Sequence, residues 1–193
     1  MPDSSVISRM DRKPRELNQG GTGTAELVFS EDATNPVVLP LPSPTLDLLT
    51  TGDSTVLNRK TSLIQVRAWG RVRSIVSTDY TPQLQFGTSL TPGSNTDIES
   101  ASAVAVNAVE GHWFIEAQLQ VAAASTTTAN IDGCSRFMVS GSTRTFTDWA
   151  AIDNEITGVS MTSQTLQGFV VTGTFSVGNA ANAAYLDGFE MLK

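Results

Sequence analysis

Residue types that could carry out chemistry are few in this chain, and they lie far apart. The 193 residues include one histidine, His112, and one cysteine, Cys134. A serine or cysteine nucleophile needs a base beside it, so His112 would have to serve any such site. His112 begins a strand-like segment, where solvated polar residues are common, and Cys134 enters another, where a small apolar side chain usually packs. We therefore predict that the protein is not an enzyme, and a small hydrolase is the last of the functions we consider.

Two pairs of carboxylates are the other candidates for catalytic groups. Asp97 with Glu99, and Asp153 with Glu155, lie two residues apart, which on a strand places each pair on one face. A glycosidase needs two carboxyl groups roughly 5 to 9.5 Å apart in a cleft. Both pairs lie in polar, loop-like segments, so we expect them to be solvated surface groups.

Residues that could bind a metal or a cofactor are also few. One histidine and one cysteine cannot complete a structural zinc site, and one cysteine cannot form an internal disulfide. The GGTG sequence at residues 20–23 lacks the following Lys and Ser or Thr of a phosphate-binding loop. Calcium binds several oxygens from loops, and no dense acidic loop unites the candidate ligands Asp97, Glu99, Asp132 and Asp187. We predict no metal and no cofactor.

Charge and hydropathy exclude further classes of protein. The chain has 12 basic and 19 acidic residues, a net charge of −7, whereas nucleic-acid binders need a surplus of Lys and Arg. The first residues lack the basic start and apolar stretch of a secretory signal, and no run of 18 apolar residues occurs. We expect a soluble protein made in the cytoplasm, with neither nucleic acid nor membrane as a partner.

A local excess of positive charge is the clearest candidate for a binding site. Residues 59–73 contain five basic residues and no acidic residue. Alternation along a strand places Arg67, Trp69, Arg71 and Arg73 on one face. Because arginine beside an aromatic ring is typical of interface centres, we predict a contact strip for another protein subunit. The alternatives are solvated arginines that meet acidic groups on the neighbouring strand, and a platform for glycans.

The elements that must position these residues are strands. Apolar and polar residues alternate at 63–76, 112–121 and 167–177, and shorter strand-like segments occupy 81–89, 99–109, 135–141 and 183–192. Helix is expected only as single turns within 45–50 and 147–156. Strands at this spacing predict an all-β fold, a jelly roll or β-sandwich, over residues 45–193.

Residues 1–44 have a different composition and predict an extended N-terminal arm. They contain six of the eight prolines, which cannot donate ladder hydrogen bonds and favour extended or edge conformations. The apolar pieces at 25–30 and 36–39 must pair with something, either the same domain or another copy. The residues of this arm that we predict to contact a partner are Arg9, Arg12, Lys13, Arg15, Leu27, Phe29, Val37 and Val38.

Two segments carry a resemblance to known families. LNQGGTGTAELVF, residues 17–29, resembles the GGTG-type segments of structural proteins of tailed bacteriophages, and an arm followed by a Ser/Thr-rich β domain resembles head cement or decoration proteins. The same segments also occur in tail-fibre proteins. AAYLDGFEMLK, residues 183–193, is similar to the last strand of carbohydrate-binding jelly-roll modules, in which an aspartate at the place of Asp187 can help to hold a structural calcium.

The resemblance implies a virion structural protein. As a cement or decoration protein, the chain would fasten neighbouring major capsid subunits, with the major capsid protein and other copies of itself, as a trimer or dimer, for partners. It would be located in the virion after synthesis in the host cytoplasm. The main alternative is a tail-associated receptor-binding or fibre domain that binds host glycans, followed by a free carbohydrate-binding module.

Overall fold

The structure is a computed structural model that describes residues 6–10, 15–18, 24–30, 35–41, 63–74, 76–106, 110–124, 127–141, 144–160 and 167–192. These residues form fifteen strands and one 3₁₀ turn, Pro92–Ser94, and none of them forms an α-helix. No described helix is therefore long and apolar enough to cross a membrane. The prediction of an all-β fold is confirmed.

The larger of two antiparallel sheets has nine strands. They are β1 (Val6–Met10), β2 (Arg15–Asn18), β5 (Ile64–Arg73), β9 (Glu110–Ala124), β10 (Thr128–Ser140), β11 (Arg144–Phe146), β12 (Ala150–Ala151), β13 (Ile156–Ser160) and β15 (Ala183–Leu192). The order is β1-β15-β5-β9-β10-β11, with β2 also paired to β15, and β12 and β13 paired to β10.

The smaller sheet has six strands. They are β3 (Leu27–Val28), β4 (Val38–Pro40), β6 (Asp79–Phe86), β7 (Thr96–Ser100), β8 (Val104–Ala105) and β14 (Gly168–Phe175). The order is β3-β14-β6-β7, with β4 paired to β14 and β8 paired to β6. The two sheets form a sandwich, with one continuous apolar core between them.

The core follows from the period of two. On β5 every second residue from Ile64 to Val72 is buried, while the alternate residues Gln65, Arg67, Trp69 and Arg71 are half-buried. On β9 the largest inward side chain is Trp113, which lies across β5 at Gly70, where an added Cβ would stand 2.7 Å from Cζ2 of the ring. Glycine at position 70 therefore lets the indole ring pack flat against the sheet.

The described parts of the proline-rich region belong to this same sandwich. The amide of Phe29 donates to the carbonyl of Val171 at 3.0 Å, and the amide of Val37 donates to the carbonyl of Phe29 at 2.8 Å. Phe29, Val37 and Leu39 are fully buried in the core. Residues 24–30 and 35–41 therefore pair with their own domain and not with another copy. The composition change near residue 44 does not mark the edge of the sandwich.

Short strands form every edge of both sheets in the described part of the chain. The edges of the larger sheet are β1 and β2 on one side and β11, β12 and β13 on the other, each of two to five residues. The edges of the smaller sheet are β3, β4, β7 and β8, again of two to five residues. Short edge strands disfavour pairing with the edge of another chain.

The helical turn expected within 147–156 is absent, and the residues at 45–50 lie outside the described part of the chain. Ala150 and Ala151 pair with β10, and the amide of Ile152 donates to the carbonyl of Gly133 at 3.2 Å. Ile152 and Ile156 are both buried. Their spacing of four residues would also suit one face of a helix. However, the backbone groups along the edge of β10 need hydrogen-bond partners, and the segment supplies them by forming short strands.

Candidate functional site

The outer face of the larger sheet brings together the side chains that point away from the core. In an antiparallel sheet, residues that are paired across strands share a face. The register therefore arranges these side chains in rows that cross the strands. We call one of them the apolar row: Trp69 on β5, Phe114 on β9, Met138 on β10 and Phe146 on β11. The next row is charged and contains Glu190, Arg67, Glu116 and Arg136.

The side chains of the apolar row lie close to the sheet at its β15 end and protrude into solvent at its β11 end. At the β15 end, Trp69 is paired with Gly188, and a Cβ atom at position 188 would collide with the indole ring. The ring of Trp69 therefore lies flat over β15. At the other end, Met138 is 39% exposed and Phe146 is 58% exposed. The two side chains form an exposed apolar patch, a feature that is typical of interaction surfaces.

Trp149 extends this exposed end. It follows β11, is 38% exposed, and lies beneath the guanidinium of Arg136 at 4.7 Å from the ring centroid. Met138, Phe146 and Trp149 are three of the six exposed large apolar residues in the described part of the chain. Their concentration on one strand pair and the loop that follows it distinguishes this region from the isolated apolar side chains of an ordinary surface.

Glu116 organises the charged row. Its side chain is only 1% exposed, and it accepts hydrogen bonds from Nε of Arg67 at 2.9 Å, from Nε and Nη2 of Arg136 at 2.8 and 2.6 Å, and from the side-chain Nε2 of Gln65. A buried carboxylate requires such donors to offset its desolvation. The two arginines are thus held by their own chain.

Arg71 is held in the same way on the other side of the apolar row. Its Nε and Nη2 donate to the two oxygens of Asp187 at 2.8 and 3.0 Å, and its guanidinium lies 5.0 Å from the ring centroid of Tyr185. The hydrogen bonds to Asp187 and its charge raise the pKa of Arg71. Both oxygens of Asp187 face a cation of the protein, which does not suit the calcium role that the resemblance implied.

The predicted contact residues of β5 have the expected position, but two of their charges are paired within the chain. Arg67, Trp69, Arg71 and Arg73 do share the outer face, but the charges of Arg67 and Arg71 are matched by carboxylates on neighbouring strands. This is the alternative in which arginines meet acidic groups across the strands. The exposed part of this face is apolar instead: it consists of Met138, Phe146 and Trp149, with the half-buried Phe114 beside them, and none of these four was among the predicted contact residues. Their signal was an aromatic or Met residue at an outward position of the alternation.

The predicted contacts of the N-terminal region need correction. Phe29 and Val37 are core residues of their own chain, with 0% and 1% exposure, so they are not available to a partner. Leu27 is 37% exposed and Val38 is half-buried. Arg9 and Arg15 lie in β1 and β2, which pair with β15. Arg12 and Lys13 lie outside the described residues.

The candidate catalytic residues are not assembled into a site. His112 is exposed and is paired with Arg71 on one side and Ser140 on the other. Cys134 is half-buried, and burial together with the charge of Glu116 raises the pKa of its thiol, which disfavours the reactive thiolate. In the described residues, no three His, Cys, Asp or Glu side chains lie close enough to hold a metal ion.

The pair Asp97 and Glu99 is separated by a bulge in β7. Asp97 is paired with Gln85 and Glu99 with Leu84, so the two carboxylates point to opposite faces of the smaller sheet. Glu99 is buried between the sheets, where it accepts a hydrogen bond from Ser135, and burial raises its pKa. The expectation that Glu99 is solvated is therefore wrong. Asp153 and Glu155 are exposed.

A second sheltered carboxylate, Glu26, lies on the smaller sheet. It accepts hydrogen bonds from Thr172 and from Nε2 of Gln85, the latter at 3.1 Å. Gln85 also donates to Asp97 at 2.6 Å, so one buried amide joins two carboxylates. Burial is the main cause that raises the pKa of Glu26, and the charge of Asp97 adds to it. This cluster ties the segment before β3 to β6, β7 and β14.

Comparisons of this chain with models of protein families, with curated proteins and with solved structures found no match.

Proposed function

We propose that this chain is a virion structural protein, a capsid cement or decoration protein that fastens neighbouring major capsid subunits. The observation that supports this proposal is the apolar row, which presents Met138 and Phe146 to solvent on a stiff antiparallel sheet. Such a surface suits attachment to another protein. The protein would act by holding other subunits in place.

The distribution of hydrogen bonds supports attachment through a face rather than through an arm. Strands β3 and β4 of this region pair with β14 of the same chain, so their backbone groups on that side are not available to extend a sheet of a neighbour. The edges of both sheets are short strands. Within the described part of the chain, the outer face of the larger sheet is the surface offered to another subunit, either a capsid subunit or a second copy of this chain.

The test of this proposal is quantitative analysis of purified particles. The copy number of the chain per particle should scale with the number of capsid subunits rather than with the single tail. Particles stripped of the chain should bind added protein again and regain their resistance to heat or osmotic shock. A copy number that matches a tail fibre, or particles whose stability does not depend on the chain, would contradict the cement function.

A tail-associated domain that binds host glycans is the second candidate, and one observation favours it. Flat aromatic rings lie beside fixed hydrogen-bonding groups: Trp149 lies beneath Arg136, which is bonded to Glu116. Sugar rings stack on aromatic faces, and their hydroxyl groups bond to planar polar side chains. The Trp149→Ala variant should lose binding to an oligosaccharide panel if this candidate is correct, while attachment to the capsid should not depend on a glycan.

A further inference from the structure

We propose that the outer face of the larger sheet is a contact between two copies of this chain. The two copies are related by a two-fold axis that lies in the interface, above Phe114 and parallel to β9. This inference rests on the proposed function, because it names a second copy as the partner of the apolar row in a protein that works as an oligomer. Binding of a glycan to this face is the alternative that the experiments below would detect.

The shape of the apolar row is the first argument. At the level of the apolar row the face is formed by β15, β5, β9, β10 and β11, and β9 is the central strand of these five. A two-fold axis along β9 exchanges β11 with β15 and β10 with β5. It places the prominent Phe146 of each copy over the low end of the other, where Trp69 lies flat over Gly188. Phe114 meets Phe114. The row is therefore complementary to itself, as an isologous interface requires.

The area of the face is the second argument. Four strands about 4.8 Å apart, with about ten residues at roughly 3.3 Å each, together with the short strand β11, give a face of roughly 700 Å². A standard interface buries about 800 Å² per partner. The outer face thus matches a flat protein partner, and sheets that pack in an aligned manner leave about 10 Å between them for side chains of this size. An oligosaccharide would cover only the row.

Charge is the third argument. Five arginines and four carboxylates lie on this part of the face. It is bounded by the row of Gln65 and Gln118 at one end and by the row of Arg73 and Glu110 at the other. Its net charge is +1, on a chain whose net charge is −7. Two acidic chains repel each other least where each presents a nearly neutral surface. The charged residues of this face are Arg67, Arg71, Arg73, Arg136, Arg144, Glu110, Glu116, Asp187 and Glu190.

Cross-linking of the full chain tests the position of the axis. Two variants are made in a Cys134→Ala background, His112→Cys and Arg144→Cys, and both replaced residues are exposed. His112 lies on β9, beside its counterpart across the axis. Arg144 lies two strands from the axis, so its counterpart is displaced by about four strand spacings, roughly 19 Å. A short bis-maleimide should link the His112→Cys chains into dimers and leave the Arg144→Cys chains unlinked. Equal linking of both variants would overturn the two-fold arrangement.

Sedimentation equilibrium tests the association itself. The wild-type chain should form dimers, and Phe146→Lys should weaken dimerisation at least tenfold, because a charge would be placed in the apolar contact. The matched control is Val177→Lys, since Val177 is 46% exposed and lies in the turn after β14, away from the face. A wild-type chain that is monomeric up to about 1 mM would overturn the inference.

The two proposals fail in different ways. A monomeric chain that still binds stripped particles would remove the self-contact and leave the cement function intact. A dimeric chain that shows the expected cross-link but never binds particles would remove the cement function and leave the contact. A monomer that binds oligosaccharides, and loses them in the Phe146→Lys variant, would overturn the self-contact in favour of the glycan platform.

Discussion

Phe29 stacks on Trp113, with ring centroids 5.8 Å apart and ring planes inclined by 30°. Phe29 follows β3 in the proline-rich N-terminal region, whereas Trp113 lies on β9 in the other sheet. Both side chains are buried. This contact joins the two sheets through a residue of the region that composition alone would assign to an arm.

Replacement of Phe29 by Ala should lower the free energy of unfolding by about 3 to 5 kcal/mol, because it removes a large core side chain and leaves a cavity beside Trp113. Urea denaturation followed by tryptophan fluorescence would measure the change. Leu27→Ala is the control, since Leu27 is 37% exposed and should change stability by less than about 1 kcal/mol.

Deletion of residues 1–44 should prevent folding, because it removes Phe29 and the strands β3 and β4 from the sandwich. A deletion variant of native stability would contradict the role of this region in the core.

Replacement of Glu116 by Ala should destabilise the fold by about 1 to 3 kcal/mol. The change leaves Arg67 and Arg136 without their shared acceptor, but both arginines are one-third exposed and recover part of their hydration. Glu110→Ala is the matched control, because Glu110 is 56% exposed and 3.5 Å from Arg71. Thermal unfolding of both variants would measure the difference, and equal melting temperatures would show that the charged row is ordinary surface.

Replacement of Glu99 by Gln should stabilise the protein at pH 7 and have little effect near pH 4. Burial raises the pKa of Glu99 in the folded state, so folding favours its protonated form. That stability is present below the unfolded pKa and is lost as the pH rises through the folded pKa. The amide oxygen of Gln can still accept the hydrogen bond from Ser135.

Melting temperatures of wild type and Glu99→Gln across this pH range would check the prediction, with the exposed Glu155→Gln as the control. Glu26, whose pKa is also raised by burial, should keep part of the pH dependence in the Glu99→Gln variant. An unchanged pH profile would show that Glu99 is ionised in the folded protein without penalty.

The pair Arg71 and Asp187 should show coupling in a double-mutant cycle. The single variants Arg71→Ala and Asp187→Ala and the double variant should give an interaction energy of about 0.5 to 1 kcal/mol, since the geometry is bidentate but Arg71 is 34% exposed. High salt should reduce this energy. A coupling of zero at low salt would mean that the two side chains are held by other contacts.

The amino-acid sequence by itself determined the alternation of side chains and therefore the all-β class, because the period of two is a property of each strand alone. It placed Ile64, Val66 and Val72 on the core side of β5 and Arg67, Trp69 and Arg71 on the other side. The extended character of the proline-rich pieces was predictable for the same reason, since proline acts on its own residue and the one before it.

Only the tertiary structure decided which strands are neighbours and in which register. Arg71 and Asp187 are 116 residues apart, and the apolar row draws one residue from each of four strands. A bulge of one residue sends Asp97 and Glu99 to opposite faces. Register depends on long-range backbone pairing, and a shift of one residue moves every side chain of a strand to the other face. The pairing of the arginines, the burial of Phe29 and the exposed apolar row are consequences of that register.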